Sequence, residues 1–140
     1  MPTDMQFLPI AQIFFIMYID SMKREVYRIE NDNGIGPYQY DWVVKQGTIS
    51  VSSLDLTLNH NDSKHPSAYD DRLMILHNSV FGFISMERLN EWFVDWKLYL
   101  HMAHFHIGVY LVDEETIQFG LSRKQIIFKK GEKVKEISLM

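Results

Sequence analysis

Between Ser85 and Ala103 the chain reads SMERLNEWFVDWKLYLHMA, and no other stretch restricts the fold as much. Met86, Leu89, Phe93, Trp96 and Leu100 follow one another at steps of three and four, which places them on one stripe of an α-helix. Trp92, Tyr99 and Ala103 widen the stripe, while Glu91, Asp95 and Lys97 mark the wet side. Ser85 stands where an N-cap hydroxyl accepts from the first turn, and Glu87 suits the positive end of the helix dipole. The spacing predicts one long amphipathic helix over about residues 86–102. So aromatic a stripe is core, and something must cover it.

The covering layer is legible as strands. Residues 24–30 alternate with period two, Tyr27 and Ile29 on one face and Val26, Arg28 and Glu30 on the other. Trp42, Val43 and Val44 start a short strand. Thr48 to Leu58 is β-branched and alternates weakly through Ile49, Val51, Leu54, Leu56 and Leu58. VFGFI at 80–84 reads as a short buried strand or the approach to the helix. At 105–112, Phe105, Ile107, Val109 and Leu111 share a strand face. Residues 124–130 and 134–139 give two more strands around a turn at Gly131. The expected class is α+β, a mainly antiparallel sheet with one long helix packed on it.

The chain has 140 residues, enough for one domain with a real core, and its 46% apolar content is that of a folded protein. The net charge of -4 argues against a broad nucleic-acid interface. The basic cluster Arg123, Lys124, Lys129, Lys130, Lys133 and Lys135 is diluted by Glu132 and Glu136. With no cysteine, disulfides, thiolate metal sites and thiol catalysis are all excluded, as fits the cytoplasm. Residues 5–19, MQFLPIAQIFFIMYI, are strongly apolar. They are shorter than the ~20 residues that span a bilayer, are interrupted by Gln6, Pro9 and Gln12, and lack the basic start of a secretory signal. The expected organisation is an apolar extension over 1–21 and a single domain over 22–140, with Met22 as a natural start and no membrane span. Residues 7–19 are then free to self-associate, a route to a homo-oligomer.

Chemistry-bearing residues concentrate in two loops. Residues 26–38, VYRIENDNGIGPY, place Arg28 just before a turn-rich loop containing Gly34, Gly36 and Tyr38. Arginine keeps its charge and forks onto phosphate, and glycines let backbone approach a ligand. Arg28 therefore either holds an anion above this loop or acts as a clamp paired with Glu30 or Asp70. The fourteen residues 59–72, NHNDSKHPSAYDDR, form the partner loop. In it His65, Tyr69, Asp70 and Asp71 offer a ring for stacking and carboxylates for Arg28 or for ribose hydroxyls. The six histidines do not space as a metal site. His104 and His106 share a strand face at most, and a third ligand would have to come from His60, His65 or Asp70; no metal is expected. Ser67, His65 and Asp70 lack a nucleophile elbow, and Gly34-x-Gly36 lacks the rest of a phosphate cradle.

Two resemblances follow from these residues. The order VYRIENDNGIGPY, HPSAYDD, FGFISMERLNEWF, GVYLVDEETIQFG, KQIIF resembles a family of small, mostly uncharacterised proteins encoded by phages and prophages, over residues 24–128. More loosely, the arrangement is similar to a minimal ADP-ribosyltransferase of the arginine–serine–glutamate type. That resemblance implies an ADP-ribosyltransferase-like fold with NAD as cofactor. Arg28 matches its strand-end arginine, Ser85 what remains of its Ser-Thr-Ser strand, and Gln125 occupies the place of its glutamate. Glutamine binds a ribose hydroxyl but brings no charge to a developing cation. The expected function is therefore that of a phage-derived accessory protein without a cofactor, which binds a host protein, for instance a defence component, or a nucleotide-like ligand. An active NAD-dependent mono-ADP-ribosyltransferase using Arg28, Ser85 and Gln125 is the enzymatic alternative, and a self-associating structural protein the third.

Overall fold

The structure, a computed structural model, describes residues 9–12 and 22–140. In chain order the domain runs through β1 (Lys23–Glu30), β2 (Val43–Gln46), β3 (Ile49–Ser52), α1 (Ser53–Asn59), β4 (Ser79–Gly82), α2 (Met86–Trp92), α3 (Lys97–Met102), β5 (His106–Asp113), β6 (Gln118–Phe119), β7 (Ile126–Lys129) and β8 (Glu132–Ile137). Most of the apolar extension, including the self-associating segment proposed at 7–19, lies outside the described residues.

All strand pairing is antiparallel among the described residues. β5 is the centre of one sheet, ordered β1-β5-β8, and β7 the centre of another, ordered β4-β7-β6. β2 and β3 form a separate hairpin. A single bridge stitches the two larger sheets: Tyr27 and Phe83 exchange both backbone hydrogen bonds, at 2.9 and 2.8 Å.

The alternation in β1 and β5 feeds two cores. Ile29, Ile107 and Val109 pack with Leu56 of α1, Leu89 and Trp92 of α2 and Leu100 of α3. On the other face Val26, Tyr110 and Val112 pack with Ile126 and Phe128 of β7. Helices therefore cover one face of the β1-β5-β8 sheet and the second sheet covers the other. That is why β5 is buried on both sides, a pattern that four residues of one-face alternation would not reveal.

Two expectations are corrected. The long helix over 86–102 is two short helices, α2 and α3, separated by a turn at Phe93–Trp96. In a continuous helix the Trp92 carbonyl would accept from the Trp96 N–H. Here that N–H bonds to Phe93 O at 2.9 Å, and the Trp92 carbonyl accepts instead from His65 Nε2 at 2.9 Å. The stripe stays buried, because the break keeps Trp92, Phe93, Trp96 and Leu100 in one cluster. The second correction concerns Thr48–Leu58, where the weak alternation ends at Ser52. A capping box joins Ser52 and Asp55, the hydroxyl accepting from Asp55 N and the carboxylate from Ser52 N, and starts α1. Leu56 is then buried while Leu54 and Leu58 face solvent.

Candidate functional site

Arg28 is 5% exposed at the end of β1, and its neighbours decide between its two readings. Nη1 donates to Phe81 O at 2.8 Å and Nη2 to Gly34 O at 3.4 Å. Nε lies 3.3 Å from Glu30 Oε1. The guanidinium thus ties the 31–38 loop to β4, and does so without Asp70. Burial pulls its pKa below the ordinary arginine value, with Glu30 the chief opposing influence. Gly36 lies against the same group: a Cβ there would stand a tight 3.1 Å from Nη2. Glu30 itself is buried and accepts from Tyr110 Oη at 2.7 and 2.8 Å and from Lys133 Nζ at 3.0 Å. The cation is neutralised inside the protein, and a ligand phosphate would have to compete with Glu30 for it.

The loop after β1 is ordered by its own residues. Asn31, also buried, accepts from Asn33 N at 2.9 Å and Ile35 N at 3.0 Å through Oδ1, and Trp42 Nε1 donates to Pro37 O at 3.0 Å. The asparagine side chain closes the turn that the composition marked.

Next to Arg28 stands a ring cluster. Trp92 Nε1 donates to Tyr38 Oη at 2.8 Å, and that hydroxyl in turn contacts His60 Nδ1. The phenol already accepts from Trp92, so its proton goes to His60, which leaves the His60 proton on Nε2. Burial, then the neighbouring His65, pushes the His60 pKa down to about 4, while burial pushes Tyr38 upward. His65 stacks on His60 with centroids 3.8 Å apart. Its Nδ1 faces Asp62 Oδ1 and its Nε2 faces the Trp92 carbonyl, each at 2.9 Å. Both partners are oxygen atoms, so each ring nitrogen is held by a group from a different part of the chain.

Gln125 closes the floor. Its Nε2 donates to Pro66 O at 2.8 Å and to Asp71 Oδ2 at 3.0 Å. Asp71, 2% exposed, also accepts from Ser122 N at 2.6 Å and Ser122 Oγ at 3.0 Å. The 65–71 loop is therefore pinned from beneath by a buried carboxylate.

Together these residues line a cavity of about 270 Å³. Of the residues singled out from the sequence, Arg28, Gly36, Tyr38, His65 and Gln125 line it. The remaining candidates lie elsewhere. Ser85 Oγ accepts from Arg88 N as the cap of α2. Gly34 serves through its carbonyl, behind Arg28. Asp71 sits under Gln125, and Tyr69, 90% exposed, borders a separate surface depression with Asp70. The expected partnership of Arg28 with Tyr69 and Asp70 is thus not formed, because the turn from Ser67 to Asp71, closed by Asp71 N to Ser67 O, carries those two side chains outward. His60, Phe83, Trp92 and Phe93 complete the walls. The two tryptophan-helix residues were assigned to core alone, since periodicity cannot tell a buried face from a face that borders a cavity.

A family model described as "Bacteriophage T4 Y00F protein" matches residues 20–140. The chain belongs to that family. It is thus a phage-type protein, in keeping with the first resemblance. No curated protein and no solved structure gives a match, so the ADP-ribosyltransferase likeness gains no support from them. Nor does any carboxylate line the cavity, whereas a stabilised oxocarbenium needs one close by. Among the described residues no group of three histidine, aspartate or glutamate side chains gathers as a metal site, and no helix is long and apolar enough to cross a membrane. The cavity of this family member offers aromatic walls and a few oriented polar atoms.

Proposed function

We propose that this chain is a phage accessory protein that works by binding, and that what it binds is a small nucleotide-like ligand held by its ring. The observation that carries this reading is the cavity wall: Tyr38, His60, Phe83, Trp92 and Phe93 surround about 270 Å³. Drug-sized ligands fill roughly 300–1,000 Å³, so the space suits a single planar ring system with its substituents outside. Aromatic faces stack on any π-system and favour bases over saturated rings. Arg28, neutralised by Glu30, adds little grip on a phosphate, so ring and nucleoside should bind nearly as well as nucleotide.

Calorimetric titration and thermal shift with free bases, nucleosides, nucleotides and NAD test this. The expected result is binding by at least one base or nucleoside, with Trp92 fluorescence responding. No binding by any of them would overturn it. NAD consumption lost in Arg28→Ala would instead restore the transferase alternative.

A host protein as partner is favoured by a different observation. Tyr69, Met74, Ile75 and Leu76 are 90%, 66%, 62% and 51% exposed along one short segment, more apolar surface than a free loop needs. A host protein retained by the wild type and lost in Met74→Asp with Ile75→Asp would support it; equal retention would remove this surface from consideration.

A further inference from the structure

The Gln125 amide has its orientation imposed. Both hydrogens of Nε2 are used, one by the Pro66 carbonyl and one by the Asp71 carboxylate. Neither partner can donate, so the amide cannot be turned over without setting oxygen against oxygen. Asp71 is itself held by the Ser122 backbone and hydroxyl. Gly120 leaves room for it, since a Cβ at that position would overlap the carboxylate. The consequence falls on the other end of the amide. Gln125 is 6% exposed, and no described group donates to its Oε1. Gln125 lines the cavity, and with both N–H groups used, Oε1 is the polar atom that its amide leaves for a ligand.

We infer that Asp71 and Gln125 form a specificity device, which selects planar ligands carrying an amino or amide N–H donor on the ring edge that enters the cavity. The inference rests on the proposed ring-binding function and adds the chemical class of the ligand. A buried acceptor rejects a ligand without a donor, because its own desolvation goes uncompensated. Gln125 is the group that touches the ligand, and Asp71 is a positioning residue that acts through it.

Two ligand pairs differ in the donor: adenosine against purine riboside, and nicotinamide against 3-acetylpyridine. Titrated into the full chain, the donor-bearing member of at least one pair should bind about tenfold or more tightly than its partner. In Gln125→Met, similar in volume but without the acceptor, the ratio of the two affinities should fall to about one. In Asp71→Asn the amide loses its fixed partner, and the preference should shrink with the melting transition still cooperative. That ratio of two affinities would not move if Asp71 only held the loop. If both members of each pair bind the wild type equally, the inference fails and ring binding stands. A preference that survives in Gln125→Met also overturns it. If no member of either pair binds, ring binding by these classes fails and the inference falls with it.

Discussion

His65 Nε2 stands 2.9 Å from the Trp92 carbonyl oxygen, the acceptor that a continuous helix would have given to Trp96. One loop side chain thereby takes the place of a helical hydrogen bond, and the turn it permits carries Trp92 and Phe93 to the cavity edge. In His65→Ala the carbonyl and Asp62 both lose a donor, and the rings of His60 and Trp92 lose a packed neighbour. The expected cost is about 2–3 kcal/mol, read from urea unfolding of the variant beside the wild type. A change under about 0.5 kcal/mol would mean that something else holds the break open.

This break shows what the sequence could and could not convey. Strand positions were legible because β1 alternates between two cores and β5 and β7 are runs of apolar residues, and a local pattern reports a local constraint. The stripe from Met86 to Leu100 was also correctly placed as buried. The interruption was not legible, since the donor that takes up the Trp92 carbonyl lies 27 residues away at His65 and leaves no mark within the stripe. α1 was missed although Ser52 and Asp55 carry its signature, because the branched residues Ile49 and Val51 before it outweighed two polar ones. Of the residues that line the cavity, Arg28, Tyr38 and His65 were singled out by type and loop context, and Gln125 only through the transferase resemblance. The outward turn of Tyr69 and Asp70, and the burial of Asp71, depend on pairing with Ser122 and Gln125 at the far end of the chain.

Glu30 is the hub of the buried charges. Arg28, Lys133 and the Tyr110 hydroxyl all converge on it, and burial followed by the hydrogen bond to Glu30 raises the Tyr110 pKa. Glu30→Ala strands a buried guanidinium and a buried phenol together. Breaking such a pair from one side costs about 3–5 kcal/mol, a large part of the stability of a domain of this size. Guanidinium chloride unfolding should show the midpoint falling accordingly. Arg28→Met should cost less than Glu30→Ala, because Lys133 and Tyr110 still satisfy the carboxylate; the opposite order would contradict Glu30 as the hub.

Gly120 is the position where the backbone makes room for Asp71. An alanine Cβ would overlap the Asp71 carboxylate, which cannot retreat while the Ser122 backbone and Gln125 hold it. Overpacking of this kind costs about 1–3 kcal/mol, and Gly120→Ala should lower the melting temperature by several degrees. An unchanged transition would show that the carboxylate is free to move.

His60 gives the domain a dependence on pH. Burial, with His65 adding to it, holds its pKa at about 4 in the folded chain, against about 6.5 in the unfolded one. Between those values the unfolded state binds more protons, so stability is fully present above pH 6.5 and declines as pH falls toward 4. Partial exposure of the ring reduces the contribution to about 1–2 kcal/mol. The depressed Asp62 carboxyl, held down chiefly by its hydrogen bond to His65, acts in the same direction but in a lower window, beginning below the ordinary aspartate value. Melting temperatures from pH 7.5 to 4.5 should therefore fall in the wild type and fall less in His60→Gln, which keeps an acceptor for Tyr38 without a titrating ring. Parallel curves for the two proteins would show that His60 is not the group responsible.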